Sequence, residues 1–170
     1  MDNHLEQVTS EGQNGIFQFI VEAVSRTMNS PACIWVPDEQ RQALRIKAAV
    51  GLPSRYVRDA ILALDEESVT GEAFKTEEVT IARDILTDPR WKHKDQAREM
   101  GWKSALCVPI EVHEAVIGVI SIYAFVIRDF SDLEKRLLMD YAAQIELTIE
   151  ADRRKKPLTV CLRQVAKSSD

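Results

Sequence analysis

From Ser104 to Phe125 the chain reads SALCVPIEVHEAVIGVISIYAF, its longest apolar stretch. Two runs rich in Val and Ile are separated only by His113-Glu114, the pattern of an antiparallel hairpin. Neither turn residue takes positive φ easily, so a connection this short carries mild strain. The second run, from Ala115, is apolar at successive positions rather than alternate ones. Such a strand must be covered on both faces, which places it centrally in a sheet with a layer on either side. Gly118 within it points to a bulge or to close approach of another backbone.

The rest of the chain supplies those layers. From Asn14 to about Met28, Ile16, Phe19, Ile20, Ala23, Val24 and Thr27 recur at helical spacing, and Asn29-Ser30-Pro31 ends the pattern. ACIWV (Ala32–Val36) predicts a short strand. After a turn at PDEQR, ALRIKAAV (Ala43–Val50) pairs back with Leu44, Ile46 and Ala48 alternating against Arg45, Lys47 and Ala49. Ser54–Leu64 has helical period, with Tyr56, Val57, Ala60, Ile61 and Leu64 on one face. Between Asp65 and Gly101 the pattern is less regular. It predicts a short helix at Gly71–Lys75, a strand at Glu78–Ala82, the loop RDILTDPRW, and a polar helix, KHKDQAREM, closed by Gly101 in the left-handed region. A long irregular segment in a compact domain is commonly the functional one. Ser131 and Glu134 form a capping box that opens a final helix running to about Lys155, with Pro157 expected to end it. LTVCL, beyond that proline, can extend as an edge strand. The organisation expected is a flexible N-terminus over 1–13, one domain over 14–156, and a C-terminal tail over 157–170.

Composition removes several function classes. A net charge of −5 argues against a phosphate-backbone binder, so no nucleic-acid partner is expected. The one basic run, Arg153–Lys156, suits the solvated C-terminal end of a helix. No stretch reaches the roughly 18 uninterrupted apolar residues of a membrane helix, and the polar N-terminus has no signal-peptide pattern. The three cysteines, Cys33, Cys107 and Cys161, are too far apart for a disulfide framework or a zinc motif. The expectation is a cytoplasmic protein with no membrane association and no metal site.

In combination these segments resemble the GAF domain family. VTGEAFKTEEVTIARDILTDPRW (Val69–Trp91) is similar to the family's Gly-led helix, short strand and Asp-containing loop. EMGWKSALCVPIEVHEAVIGVISIYAF is similar to its last two core strands, and RDFSDLEKRLLMDYAAQIELTIE to the start of its final helix. The resemblance covers roughly residues 14–152. It implies an α+β fold with a central antiparallel sheet of about six strands, terminal helices on one face and a small-molecule pocket on the other.

Family branches with specific chemistry leave marks that can be sought here. The free methionine-R-sulfoxide reductases use several cysteines near the segment before the penultimate strand. This chain has none between Cys33 and Cys107, which disfavours that redox enzyme as the alternative reading. Bilin-binding members carry a Cys-His pair that aligns with Lys92-His93, so His93 is present and the attachment thiol is not. Cyclic-nucleotide members carry an Asn-Lys pair where Ala124-Phe125 stand, and that ligand is not favoured. No Gly-rich phosphate loop, His-x-x-x-His or Cys-x-x-Cys motif occurs.

Cys107, between Leu106 and Val108, reads as a buried small hydrophobe whose side still faces the pocket. His113 reads as a turn residue. Trp35, Trp91, Trp102 and Tyr123 are candidates for apolar pocket walls with polar tips, or simply for core packing. Asp84 and Arg90 are candidate polar anchors, or solvated surface, and His93 a candidate rim residue. The expectation is thus a non-catalytic sensory or regulatory domain binding a small molecule, with the ligand and any cofactor unknown. A homodimer through the terminal helices is expected from the apolar positions Ile145 and Ile149. The output is expected to pass to a signalling partner such as a histidine kinase or transcription regulator.

Overall fold

The computed structural model describes the backbone of residues 3–38 and 40–167, with side chains at 14–38, 40–151 and 154. In chain order the elements are α1 (Asn3–Met28), β1 (Ala32–Asp38), β2 (Ala43–Val50), α2 (Ser54–Asp59), β3 (Ile61–Ala63), α3 (Val69–Thr76), β4 (Thr80–Ala82), α4 (Lys94–Met100), β5 (Ser104–Val112), β6 (Ala115–Ala124) and α5 (Asp132–Lys167). The strands form one six-stranded antiparallel sheet in the order β3-β2-β1-β6-β5-β4. The α+β architecture is the one expected.

The β5–β6 hairpin sits at the sheet's centre. His113 and Glu114 take φ of 51° and 61°, as a two-residue turn matching the strand twist requires. Gly118 is where backbones crowd: a β-carbon there would fall on the carbonyl oxygen of Trp35 in β1. Just across, the ladder slips between Ile110 and Glu111, so close approach and bulge occur together.

Each face of the sheet has its own core. On one, Leu106, Val108, Ile110, Ile120 and Ile122 meet Phe17, Ile20, Val21 and Val24 of α1 and Leu138, Ala142, Ile145 and Ile149 of α5. Thr27 and Tyr141 join the two helices through a 2.7 Å hydroxyl–hydroxyl hydrogen bond. The other face carries Cys33, Trp35, Cys107, Val119 and Tyr123 beneath the segments from α2 to α4. The expected capping box is present: Ser131 Oγ accepts from the Glu134 amide, and Glu134 accepts from the Ser131 amide.

Several expectations are corrected. Ile145 and Ile149 are not spare apolar surface; they are 0% and 5% exposed within their own chain. The exposed apolar side chains of the terminal helices are instead Phe19, Leu133, Met139 and Leu147. The helix predicted over Ser54–Leu64 stops at Asp59, and Ile61–Ala63 pairs with Ala43–Arg45 as β3. Pairing satisfies the outer backbone groups of β2, which a continued helix would leave open. In β2 the alternation breaks where the register with β1 shifts between Ile34 and Trp35. Leu44 and Ile46 therefore face one core and Ala48 the other.

Both terminal helices are longer than periodicity suggested. α1 starts at Asn3 rather than Asn14: the added stretch is polar and lacks an apolar stripe, and it holds no proline, while Gly12 weakens a helix without ending it. α5 continues through Pro157 to Lys167, so LTVCL is helical and forms no edge strand. A proline removes one donor from the ladder without obliging the chain to leave it. The side chains of Cys161 and of the basic run, apart from Arg154, lie outside the described residues. Among the described residues, no helix is long and apolar enough to cross a membrane.

Candidate functional site

A cavity opens between the sheet and the irregular layer from α2 to α4. It offers about 50 Å³ to the centres of water-sized molecules. Trp35 on β1 and Tyr123 on β6 line its sheet side. Tyr56 of α2, Trp91 before α4 and Trp102 after it complete the aromatic walls. Trp102 lies flat on Tyr123, while Tyr56 meets Trp102 edge-on at 5.2 Å and Trp91 meets Tyr123 edge-on at 6.2 Å. Alternating stacked and perpendicular contacts hold the rings as one block.

The thiol and hydroxyls on and beneath the sheet-side wall are all proton-bearing. The Tyr123 hydroxyl and Cys33 thiol are hydrogen-bonded at 3.4 Å. Burial pushes the Cys33 thiol up to about 12, against the opposing influence of Tyr123, and pushes the Tyr56 and Tyr123 hydroxyls above the ordinary tyrosine value. All three stay protonated at neutral pH. The Trp35 indole is near enough to bear on the Cys33 thiol, yet Nε1 makes no hydrogen bond of acceptable geometry. With Trp35 only 1% exposed, that donor is buried and unpartnered.

The mouth is charged. Glu66, Glu67, Lys92, His93 and Gln96 stand exposed around it, and Arg90 forms part of the wall. Arg90 is held from three sides: Nε and Nη2 donate to Asp88, Nη1 donates to Glu72 at 2.6 Å, and Nη2 donates to the Ile81 carbonyl at 2.8 Å. The hydrogen bond from Arg90 lowers the Asp88 pKa, partly opposed by burial of that carboxyl. This cluster fixes the loop after β4 against α3, so Arg90 acts as a strut of the wall.

Of the residues singled out in sequence, Trp35, Arg90, Trp91, His93, Trp102 and Tyr123 line the cavity. Asp84 and Cys107 do not. Asp84 accepts from the Leu86 amide and shapes its own loop. Cys107 is fully buried beneath the cavity, hydrogen-bonded with Ser121 at 3.2 Å and Thr70 at 3.6 Å. Cys33 and Cys107 both stand opposite Ser121, one from each side, so strand β6 runs between them. A thiol–disulfide relay between these two would need that strand to move. Missed in the sequence were Tyr56, Thr70, Glu66, Glu67 and Gln96. Tyr56 lay on the apolar face of its predicted helix, and its polar tip was the available signal; Thr70 and Gln96 lie on the short helices α3 and α4, and Glu66 and Glu67 on the link before α3, where no periodic pattern marks them.

Outside the cavity, His113, Glu146 and Glu150 bring a ring nitrogen and two carboxylates within 4.8 Å of one another. The His113 amide donates to Glu146 at 3.1 Å and its Nδ1 lies 3.5 Å from Glu150, tying the hairpin turn to α5.

A family model described as GAF domain matches residues 10–150. Among solved structures, the chain is similar to the GAF domain of a phosphoenolpyruvate-protein phosphotransferase from Coxiella burnetii, at 20% identity and TM-score 0.73, covering 90% of this chain and 94% of that one. It is similar to a type II free methionine-R-sulfoxide reductase from Thermoplasma acidophilum, at 16% identity and TM-score 0.69, covering 84% and 96%. It is also similar to part of a methyl-accepting chemotaxis protein, at 22% identity and TM-score 0.67, covering 82% and 89%. No curated protein sequence matches it.

Proposed function

This chain belongs to the GAF domain family, a family of sensory and regulatory domains, and we propose that it is a non-catalytic member whose aromatic cavity binds a small molecule. The observation that carries the reading is a cavity walled by aromatic rings that are fixed against one another. A packed core leaves no such space. Native mass spectrometry of freshly purified protein tests it: a retained or added ligand of low mass supports the reading, and an empty protein that takes up no metabolite contradicts it.

The two described thiols support the non-catalytic reading over a sulfoxide reductase. Cys33 and Cys107 are buried, free and protonated, and a sulfoxide reductase needs an accessible thiolate with a second thiol in reach. The methionine sulfoxide reductase among the similar structures shares the fold at 16% identity, and the thiol placement here supports a different use of it.

The signal leaves through the terminal helices and a homodimer formed by them. Phe19, Leu133, Met139 and Leu147 are exposed large apolar residues on α1 and α5; α1 packs on β1, which carries Trp35, and α5 on β5, which pairs with the strand of Tyr123. A change in the cavity thus bears directly on the sheet against which the dimerising helices lie. A downstream signalling protein such as a histidine kinase or transcription regulator receives the output in the cytoplasm, a role supported by the chemotaxis protein among the similar structures.

A further inference from the structure

We infer that His113, Glu146 and Glu150 bind a zinc-like divalent cation that clasps the turn of the β5–β6 hairpin to α5. The site lies apart from the aromatic cavity, and neither reading depends on the other.

Three observations lead to it. The first is convergence from two rigid elements. His113 takes φ of 51° in a two-residue turn, and its backbone amide donates to Glu146 at 3.1 Å. Glu146 and Glu150 stand one helical turn apart on α5 and share a face. Each follows a core anchor, Ile145 or Ile149, so that stretch of helix is held in place and its carboxylates with it. A ring nitrogen and one oxygen from each carboxylate thereby lie within 4.8 Å of one another. His113 and Glu146 are 33 residues apart in the chain, so no spacing motif marks the set, and the expectation of no metal site rested on motifs.

The second is the spacing of the ring and Glu150. His113 Nδ1 lies 3.5 Å from the carboxylate oxygen. That is too long for an ordinary N–H···O hydrogen bond of about 2.7–3.2 Å. Two ligands held at about 2.0–2.2 Å on a tetrahedral zinc are about 3.3–3.6 Å apart, a spacing the pair already has. The third is charge. Glu77, Glu78 and Glu111 stand with Glu146 around the groove beside α5. Among the described residues, neither these four carboxylates nor Glu150 forms an ion pair with a lysine or arginine. Their summed field attracts a cation and favours a divalent one. The donor set decides which: imidazole nitrogen with carboxylates suits zinc, whereas magnesium and calcium take oxygen ligands. The His113 side chain is 54% exposed, so the ion has a way in, and a water can complete the four ligands.

Zinc chloride is titrated into the full chain against a competing chromophoric chelator, for wild type, His113→Asn and Glu150→Gln. Asparagine tolerates the left-handed backbone of the turn, so the first variant removes the ring and keeps the hairpin. The second removes one carboxylate and leaves the helix backbone unaltered. The expected result is a wild-type zinc site that each variant weakens at least about tenfold, since losing even a partner of a metal ligand commonly costs that much. Zinc should raise the melting temperature of the wild type more than that of either variant, and excess magnesium should not displace it. A wild type that binds no zinc overturns the inference. So does a variant of either kind that binds zinc as tightly as the wild type, or displacement of the zinc by magnesium.

Discussion

Trp102 lies on Tyr123 with ring centroids 4.0 Å apart and planes 8° from parallel. Trp102 sits in the link between α4 and β5, and Tyr123 on the central strand β6, so one contact joins the irregular layer to the sheet. Both are essentially buried, at 2% and 1% exposure. The stack is therefore at once a structural rivet and a cavity wall.

Replacing Trp102 by Ala removes the rivet. The expected cost is about 3–5 kcal/mol in denaturant unfolding, as for other buried large aromatics. Trp102→Phe keeps a ring against Tyr123 and should lose markedly less. Equal losses in the two variants would show that the stack itself contributes little.

The Asp88–Arg90 pair gives the wall a pH dependence of defined sign. Asp88 has a folded pKa below its unfolded value, so its contribution is fully present above the ordinary aspartate value of about 3.9 and is lost as pH falls through the folded one. Asp88→Asn should be less stable than wild type at neutral pH and should converge with it in acid. A difference between the two that stays constant down to strongly acidic pH contradicts the assignment.

The legibility of the site in sequence follows from where each signal lies. The hairpin announced itself because a doubly buried central strand cannot hide its apolar run, and Gly118 marked the crowding on Trp35. The same pattern reading failed at Ile61–Ala63, where three residues are too few to show a period of two and the helical period ran straight over them. Ile145 and Ile149 show the complementary error: periodicity identifies an apolar face but not what covers it. Trp35, Trp91, Trp102 and Tyr123 were recognisable as aromatics of strands and loop ends. Their convergence with Tyr56, Glu66 and Glu67 is set by tertiary packing, which single-sequence spacing does not encode.

Gly118 should be intolerant of any side chain. Gly118→Ala drives a methyl against the Trp35 carbonyl, and the expected loss is about 1–3 kcal/mol, as for overpacked sites. The Trp35 fluorescence or indole resonance should move with it. A variant of unchanged stability and spectrum would mean the strands part at no cost.

Dimerisation through α1 and α5 predicts that Phe19→Glu with Leu147→Glu gives a folded monomer. Both side chains are exposed in the single chain, at 69% and 65%, so monomer stability should change little. Light scattering decides it. A wild type that is already monomeric at high concentration contradicts the dimer.

The most direct measurement is a thermal-shift screen against small metabolites run on wild type beside Ala63→Trp. Ala63 lines the cavity from the edge strand β3, where a larger ring fills the space with little disturbance to either core. The account predicts compounds that raise the wild-type melting temperature and leave the plugged, folded variant unmoved. Compounds that stabilise both proteins equally, or none that stabilise the wild type, would contradict a ligand in this cavity.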